Sequence, residues 1–214
     1  MARSSSAKPT AVLLVRHGKT PTTGAVLPGR AKGLHLSDDG RAQAERAAER
    51  IAALKNVKAV YASPMERTKE TAAPIAKALG LKVRSNKGLI EADFGSWTGR
   101  KLSDLRKKRE WSQVQSYPSG FRFPDGESFA EMQQRMCGAL AGIVADHPGQ
   151  TVVAVSHADP IKAAVAQAMG THLDLFQRIV VGPCSITAII YGPNGPMVLG
   201  VNSMGDDLKQ LVPS

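Results

Sequence analysis

Length, composition and charge narrow the class of molecule. The chain has 214 residues, of which 43% are hydrophobic, 5% aromatic and 21% charged. This balance predicts one soluble globular domain and excludes a disordered or fibrous chain. The longest apolar runs, 11–15 and 152–155, are far shorter than the roughly 20 residues needed to cross a bilayer. We therefore expect no membrane partner.

The charge of the chain favours anionic ligands. Lys and Arg number 28 against 18 Asp and Glu, which gives a net charge of +10. The densest basic run lies within 100–109, and we interpret it mainly as a solvated helical face. Nucleic-acid surfaces usually interleave aromatic residues with cations, whereas only Trp97 and Trp111 flank this run. We expect no nucleic-acid partner.

Cysteine usage and the two ends of the chain bear on location. Cys137 and Cys184 are too few for a disulfide framework, and neither they nor the five histidines show metal-ligand spacing. Residues 1–10 have a serine-rich centre where a secretory signal would be apolar, so we expect a disordered start. Residues 206–214 are expected to form a tail. A cytoplasmic location follows as an expectation, with no metal and no cofactor.

Strand and helix patterns alternate along the chain. Short apolar runs predict strands over 11–15, 57–62, 81–84, 151–155, 185–191 and 197–201, the last two as a hairpin. Helical spacing predicts helices over 40–54, from 63 onward, over 126–145 and over 159–169. This alternation indicates an α/β sandwich of three layers, with a mostly parallel central sheet flanked by helices. We expect a single domain over 11–205.

Three local signals refine these helices. The stretch 63–66 (SPME) predicts an N-cap at Ser63, followed by a first-turn Pro and a Glu. Asp159 and Pro160 predict the cap and first turn of a later helix. Pro74 is expected to kink or divide the helix that follows Ser63. Residues 88–126 are irregular and predict a lid-like insertion of short helices and loops.

Two histidines stand directly beyond predicted strands. His17 follows the first strand and His157 the fourth, and ligands of open α/β sheets bind at the carboxyl ends of strands. Arg16 precedes His17, and Arg67 lies in the first turn of a helix that also follows a strand. Guanidinium groups and helix N-termini both favour phosphate oxygens. The four residues together predict a phosphate pocket.

Five blocks in chain order carry a family resemblance. They are LVRHGKT (14–20), Ser63-Pro64 with Arg67, LIEADFG (89–95), GES (126–128) and VSH (155–157). From about residue 11 to 170 the sequence resembles the histidine phosphatase superfamily, also called phosphoglycerate mutase-like.

The resemblance implies a role for each matching residue. His17 would be the nucleophile that forms a phosphohistidine, and Arg16, Arg67 and His157 would hold the phosphoryl oxygens. Glu91 would protonate the leaving oxygen and then take a proton from water, which requires a raised pKa. No metal is required.

The sequence departs from the family pattern at two positions. Lys19 and Thr23 stand where many members have Glu and Asn, and we expect Thr23 still to bind a phosphate oxygen. The DFGSWTG stretch (93–99) resembles the phosphatase branch of the family rather than its mutase branch. We therefore predict a metal-independent phosphomonoester hydrolase acting on small phosphorylated metabolites.

Two other functions are weighed against this one. They are a cofactor-dependent phosphoglycerate mutase-type phosphotransferase and a noncatalytic module that binds phospho-ligands. The insertion is expected to contact the leaving group, and its cations Arg100, Lys101, Arg106 and Arg122 could select acidic esters. The sequence names no substrate and leaves a homodimer open.

Overall fold

A computed structural model describes residues 8–54 and 56–205 of the chain. Six strands run over β1 (Thr10–Arg16), β2 (Val57–Ala62), β3 (Val83–Ser85), β4 (Thr151–Ser156), β5 (Ile186–Gly192) and β6 (Gly195–Ser203). The α-helices of these residues are α1 (Asp38–Ala52), α2 (Glu66–Leu79), α3 (Leu102–Leu105), α4 (Glu110–Ser116), α5 (Phe129–Asp146) and α6 (Ala158–Ala168). Within this part of the chain, none of the helices is long and apolar enough to cross a bilayer.

The strands form one sheet in the order β3-β2-β4-β1-β5-β6. The first four are parallel to each other, whereas β5 and β6 run antiparallel and form the predicted hairpin. Helices α5 and α6 pack on one face around Leu140 and Ile161, and α1 and α2 pack on the other around Ile51 and Ile75. The predicted α/β sandwich with a mostly parallel sheet is confirmed.

Burial of both faces explains why the central strands are apolar throughout. In β1, Val12 and Leu14 point into one core, whereas Leu13 and Val15 point into the other. Successive side chains of a strand alternate between faces, and each face here is covered by helices. The sheet therefore buries its polar backbone and leaves the strand ends as the place for polar chemistry.

The ends of the domain differ in part from the sequence prediction. Strand β1 begins at Thr10, which is buried and donates its hydroxyl to the His147 carbonyl at 2.7 Å. Thr10 is therefore ordered, contrary to the expectation for residues 1–10. Residues 1–7 and the tail 206–214 lie outside the described residues.

Both predicted helix caps are wrong. Helix α2 begins at Glu66, and Ser63 Oγ is instead 2.9 Å from His157 Nε2. Helix α6 is capped by His157, and Asp159 lies inside its first turn, 3.4 Å from Lys162 Nζ. Pro74 does not divide α2, which runs on to Leu79 because the residues around it pack on the sheet.

The insertion, residues 88–126, is built of short helices and loops around an aromatic cluster. Its buried members include Phe94, Trp97, Phe121 and Phe123, which pack against Phe129 of α5. The Phe121 and Phe123 rings meet edge to face with centroids 5.0 Å apart. The predicted irregular segment thus shares an apolar core with helices α5 and α6.

Candidate active site

The two histidines beyond the strands lie side by side. Strands β1 and β4 are paired in register, with Arg16 opposite Ser156, so the next residue of each strand reaches the same edge. His17 N donates to the Ser156 carbonyl at 3.0 Å, and the rings of His17 and His157 have centroids 5.2 Å apart. The convergence that the strand pattern predicts is observed.

His17 is held as a neutral ring with one nitrogen lone pair available. Its Nδ1 lies 2.8 Å from the Gly18 carbonyl, which can only accept, so Nδ1 carries the proton and Nε2 does not. Burial, together with the charges of Arg67 and Arg16, lowers the pKa of His17 to about 3. Near neutral pH, His17 therefore has the form that a nitrogen nucleophile needs.

Two guanidinium groups, the buried one of Arg67 and the partly buried one of Arg16, flank the histidines. Arg67 is fully buried, and its Nη2 donates to the Gly29 carbonyl at 2.8 Å. Arg16 Nη1 donates to the Val181 carbonyl at 2.7 Å. Arg16 Nε and Arg67 Nε and Nη1 are buried without an acceptor among residues 8–54 and 56–205. Buried donors are normally paired, so these groups suit an anionic ligand.

His157 has both ring nitrogens engaged. Arg67 Nη2, always a donor, is 3.2 Å from Nδ1, so Nδ1 accepts and Nε2 donates to Ser63 Oγ at 2.9 Å. Burial and the Arg67 charge lower the pKa of His157 well below its usual value. This neutral ring has no free N–H, and a bond from it to phosphate requires a proton on Nδ1. A bound dianion favours that proton.

Glu91, which belongs to the insertion, lies next to His157. It is buried, its Oε1 accepts from Ala92 N at 2.9 Å, and its Oε2 lies 3.9 Å from His157 Nδ1. Burial, assisted by the negative charge of Asp159, raises the pKa of Glu91 to about 7, against the opposing charge of Arg67. The carboxyl group can therefore carry and release a proton near neutral pH.

Two neighbouring carboxylates are already engaged in ion pairs. Asp93 Oδ2 is 3.3 Å from Arg30 Nη1, and Glu127 accepts from both Arg30 and Arg135 at 2.8 to 3.0 Å. Each of these carboxylates therefore has a guanidinium partner, whereas the Glu91 carboxyl group has none within salt-bridge distance in the described ranges. Among the three, Glu91 is the group suited to proton transfer.

Thr23 has a structural partner in its own loop. Its Oγ1 accepts from Thr20 N at 2.8 Å and lies 3.0 Å from Thr20 Oγ1. No hydrogen bond in the described part of the chain joins Thr23 to Arg16, Arg67 or His157. Its expected contact with a phosphate oxygen stays a prediction.

The basic residues named in the sequence analysis lie on the surface. Lys19 is exposed and 3.6 Å from Asp39 Oδ2. Arg122 is paired with Glu131, so it is not a free cation. Arg100, Lys101 and Arg106 are exposed, and none forms an ion pair within the described ranges.

Three residues near the site were missed by the sequence analysis. Arg30 and Arg135 donate to the carbonyl of Glu91, and the carboxylate of Asp159 acts electrostatically on Glu91. Asp159 lies two residues beyond His157, and this proximity is the one signal that could have marked it. The described residues contain no group of three or more His, Cys, Asp or Glu able to hold a metal ion.

Comparison with known proteins identifies the family. The family model of the histidine phosphatase superfamily (branch 1) matches residues 12–204. The chain therefore belongs to the histidine phosphatase superfamily.

Individual relatives include a phosphatase and a mutase. Phosphoserine phosphatase 1 of Hydrogenobacter thermophilus is 33% identical over 173 residues, which cover 77% of this chain and 79% of that protein. A probable phosphoglycerate mutase GpmB of Cronobacter sakazakii is 32% identical over 200 residues, 91% of this chain and 92% of that protein. Other curated relatives, from Mycobacterium, are 30% identical over 203 residues, and the chain spans only 55% of their length.

A solved structure shares the fold over nearly the whole chain. Bacillus stearothermophilus YhfR superposes with a TM-score of 0.84 at 26% sequence identity, covering 91% of this chain and 97% of that one.

Proposed function

We propose that the protein is a metal-independent phosphomonoester hydrolase that acts on small phosphorylated metabolites through a phosphohistidine. One observation supports this most directly. The neutral His17, with its Nε2 unprotonated, lies beside guanidinium N–H groups of Arg16 and Arg67 that lack acceptors among residues 8–54 and 56–205. This is a nucleophile next to donors for phosphoryl oxygens.

In the first step, His17 Nε2 attacks phosphorus and the bond from phosphorus to the ester oxygen breaks. Arg16 and Arg67 neutralise the charge on the transferring group, where positioning and electrostatics provide most of the catalysis. His157, protonated on Nδ1 once the dianion is bound, donates to a third position on the group. Glu91 gives its proton to the departing oxygen, so the alcohol leaves neutral.

In the second step, water replaces His17 on phosphorus. Glu91, now ionised, takes a proton from the attacking water, and the bond from phosphorus to Nε2 breaks. Inorganic phosphate is released, and His17 and Glu91 return to their starting forms. A pKa near 7 suits both halves of this cycle, because Glu91 must be an acid first and a base second.

A mutase remains the second candidate, because a probable phosphoglycerate mutase is among the relatives. In that case the phosphohistidine would pass its group to a phosphoglycerate instead of water. The DFGSWTG stretch (93–99) supports the hydrolase instead. A noncatalytic phospho-ligand module is a third candidate, although His17, Glu91 and both guanidinium groups are in place.

The proposed setting of the activity is the cytoplasm, supported by the presence of only two cysteines, both free. Its partner is a small phosphorylated substrate, with neither nucleic acid nor membrane. A homodimer is compatible with the exposed sheet edge at β6, where Met197 and Leu199 are more than half exposed.

A screen of phosphomonoesters tests the proposal. Phosphate release is measured for alkyl, sugar, amino-acid and carboxylate-bearing esters, and interconversion of 3-phosphoglycerate and 2-phosphoglycerate is measured in parallel. His172→Ala, which changes an exposed histidine, is the matched control for His17→Ala. Phosphate release that depends on His17 supports the hydrolase; isomerisation without net release supports the mutase; binding without either supports the module.

A further inference from the structure

Glu91 lies in a segment without helix or strand. Residues 90–94 connect two short turns of 3-10 helix, Lys87–Leu89 and Gly95–Trp97. Regular backbone hydrogen bonds therefore do not fix its position, and other parts of the chain must hold this segment. A carboxyl group that transfers a proton needs a defined place, because an error of about 1 Å can cost 10²-fold in rate.

Two arginine side chains supply the missing hydrogen bonds. Arg30 Nε donates to the carbonyl of Glu91 at 2.9 Å. Arg135 Nη1 donates to the carbonyls of Gly88 and Ile90 at 2.8 and 2.9 Å, and its Nη2 reaches that of Glu91 at 3.4 Å. The segment before and at the carboxyl group is thus held by guanidinium groups from two distant elements.

Glu127 joins the two arginines. Its Oε2 is 3.0 Å from Arg30 Nη2 and 2.9 Å from Arg135 Nη2, and its Oε1 is 2.8 Å from Arg135 Nε. The Glu127 side chain is 12% exposed, so its carboxylate attracts both guanidinium groups with little screening by solvent and offsets the repulsion between them. Oε2 also accepts from the backbone N of Asp93 at 3.3 Å, on the far side of Glu91.

Gly29, the residue before Arg30, contacts Arg67, which is the proposed phosphate-binding group. The carbonyl of Gly29 accepts from Arg67 Nη2 at 2.8 Å. Gly29 has a φ of +51°, and a Cβ there would lie 2.9 Å from Thr98 Oγ1, so the backbone approaches the insertion as only glycine permits. One dipeptide, Gly29-Arg30, therefore contacts both the buried guanidinium and the acid-bearing segment.

We infer that Arg30, clamped by Glu127, is a positioning residue that sets the distance between the Glu91 carboxyl group and the Arg67 guanidinium. The inference rests on the proposed function, in which Arg67 binds the phosphoryl group and Glu91 transfers the proton. Arg30 donates to the backbone carbonyl of Glu91 and to the carboxylates of Asp93 and Glu127. Its effect on catalysis passes through Glu91, and steps that do not need the proton are independent of it.

A double-mutant cycle tests this role. Arg30→Lys retains the positive charge beside Glu127 but removes the N–H that reaches the Glu91 carbonyl. Arg41→Lys, an exposed arginine paired with Glu70 at 3.8 Å, is the matched control. The measurement is kcat/KM for an alkyl phosphate and for p-nitrophenyl phosphate, whose leaving group departs without a proton.

The expected result is a loss specific to the alkyl ester. Arg30→Lys should lower kcat/KM for the alkyl ester by about 10- to 100-fold, through kcat rather than KM. The kcat/KM for p-nitrophenyl phosphate should stay close to that of wild type. In the Glu91→Gln background the same substitution should have no further effect, because the group that it positions is gone. If Arg30→Lys does not fold, Glu127→Gln takes its place in the cycle with the same expectation.

Three outcomes oppose the inference in distinguishable ways. Equal losses for both esters assign Arg30 a general structural role. Multiplicative effects of Arg30→Lys and Glu91→Gln show that the two residues act separately. If the wild type releases no phosphate from any ester, the proposed function fails and the inference fails with it, whereas the first two outcomes overturn the inference alone.

Discussion

Protonation of Glu91 should control how alkyl phosphate hydrolysis depends on pH. Burial and the charge of Asp159 raise the pKa of this carboxyl group to about 7. Only the protonated form can donate to a departing alkoxide, so kcat/KM should fall as pH rises through that value. With a pKa near 7, the protonated fraction drops about tenfold between pH 6 and pH 8.

The assay measures kcat/KM of wild type and of Glu91→Gln for the same ester over a range of pH. Because both enzymes use the same substrate, the ionisation of its phosphate group cancels in the ratio of the two values. The ratio of the two kcat/KM values should fall about tenfold from pH 6 to pH 8 for an alkyl phosphate. It should stay flat for p-nitrophenyl phosphate. Below pH 6 the ratio should level off, since the pKa of His17 near 3 adds no second transition there.

The ratio of the two kcat/KM values at its low-pH plateau measures how much Glu91 contributes as a general acid. At low pH the wild type should exceed Glu91→Gln by about 10²- to 10⁴-fold on the alkyl ester, the usual range for one positioned general acid. A ratio that does not change with pH, or one that changes equally for both esters, would refute the assignment of Glu91 as proton donor.

Three further predictions concern the histidines and metal dependence. His17→Ala should abolish turnover of every ester and the acid-labile phosphoryl label on the protein, while vanadate or phosphate still binds; labelling that persists would contradict the nucleophile assignment. Treatment with EDTA should leave activity unchanged, and a loss that a divalent cation restores would indicate a metallophosphatase. Ser63→Ala removes the acceptor of His157 Nε2 and should raise KM for all esters, besides costing about 1–3 kcal/mol of stability; an unchanged KM in a destabilised variant would indicate a purely structural role.

Local patterns in the sequence predict those elements whose causes are local. Strand β2 is observed over Val57–Ala62, as the short apolar run there predicts. The meeting of His17 and His157 follows from two strand ends that face the same edge. Each strand signal lies within a few residues, whereas the pairing of β1 with β4 that brings the two histidines together joins distant parts of the chain.

The predicted cap at Ser63 fails because the partner of its hydroxyl is distant. Ser63 has the residue type and spacing of a cap, yet its hydroxyl bonds to His157, 94 residues away. A capping hydroxyl and a catalytic-site hydroxyl look the same in a sequence, since both follow a strand and precede a helix. Tertiary contact decides between them.

Arg30 shows why part of the site is not readable from the sequence. It stands in an irregular loop among Gly and Pro, without a periodic pattern to assign its side chain to a face. Its partners Glu91 and Glu127 are 61 and 97 residues away. Only the folded chain brings an arginine from one loop to a carbonyl of another.

The aromatic cluster of the insertion also provides an intrinsic spectroscopic probe of that part of the protein. Both of its tryptophans, Trp97 and Trp111, belong to the insertion, and their rings stack with centroids 6.3 Å apart. Tryptophan fluorescence and near-ultraviolet dichroism therefore report on the insertion, whereas far-ultraviolet dichroism is dominated by the sheet and its helices. Melting curves from the two signals coincide if the insertion and the sheet unfold as one cooperative unit, and separate if the insertion opens first.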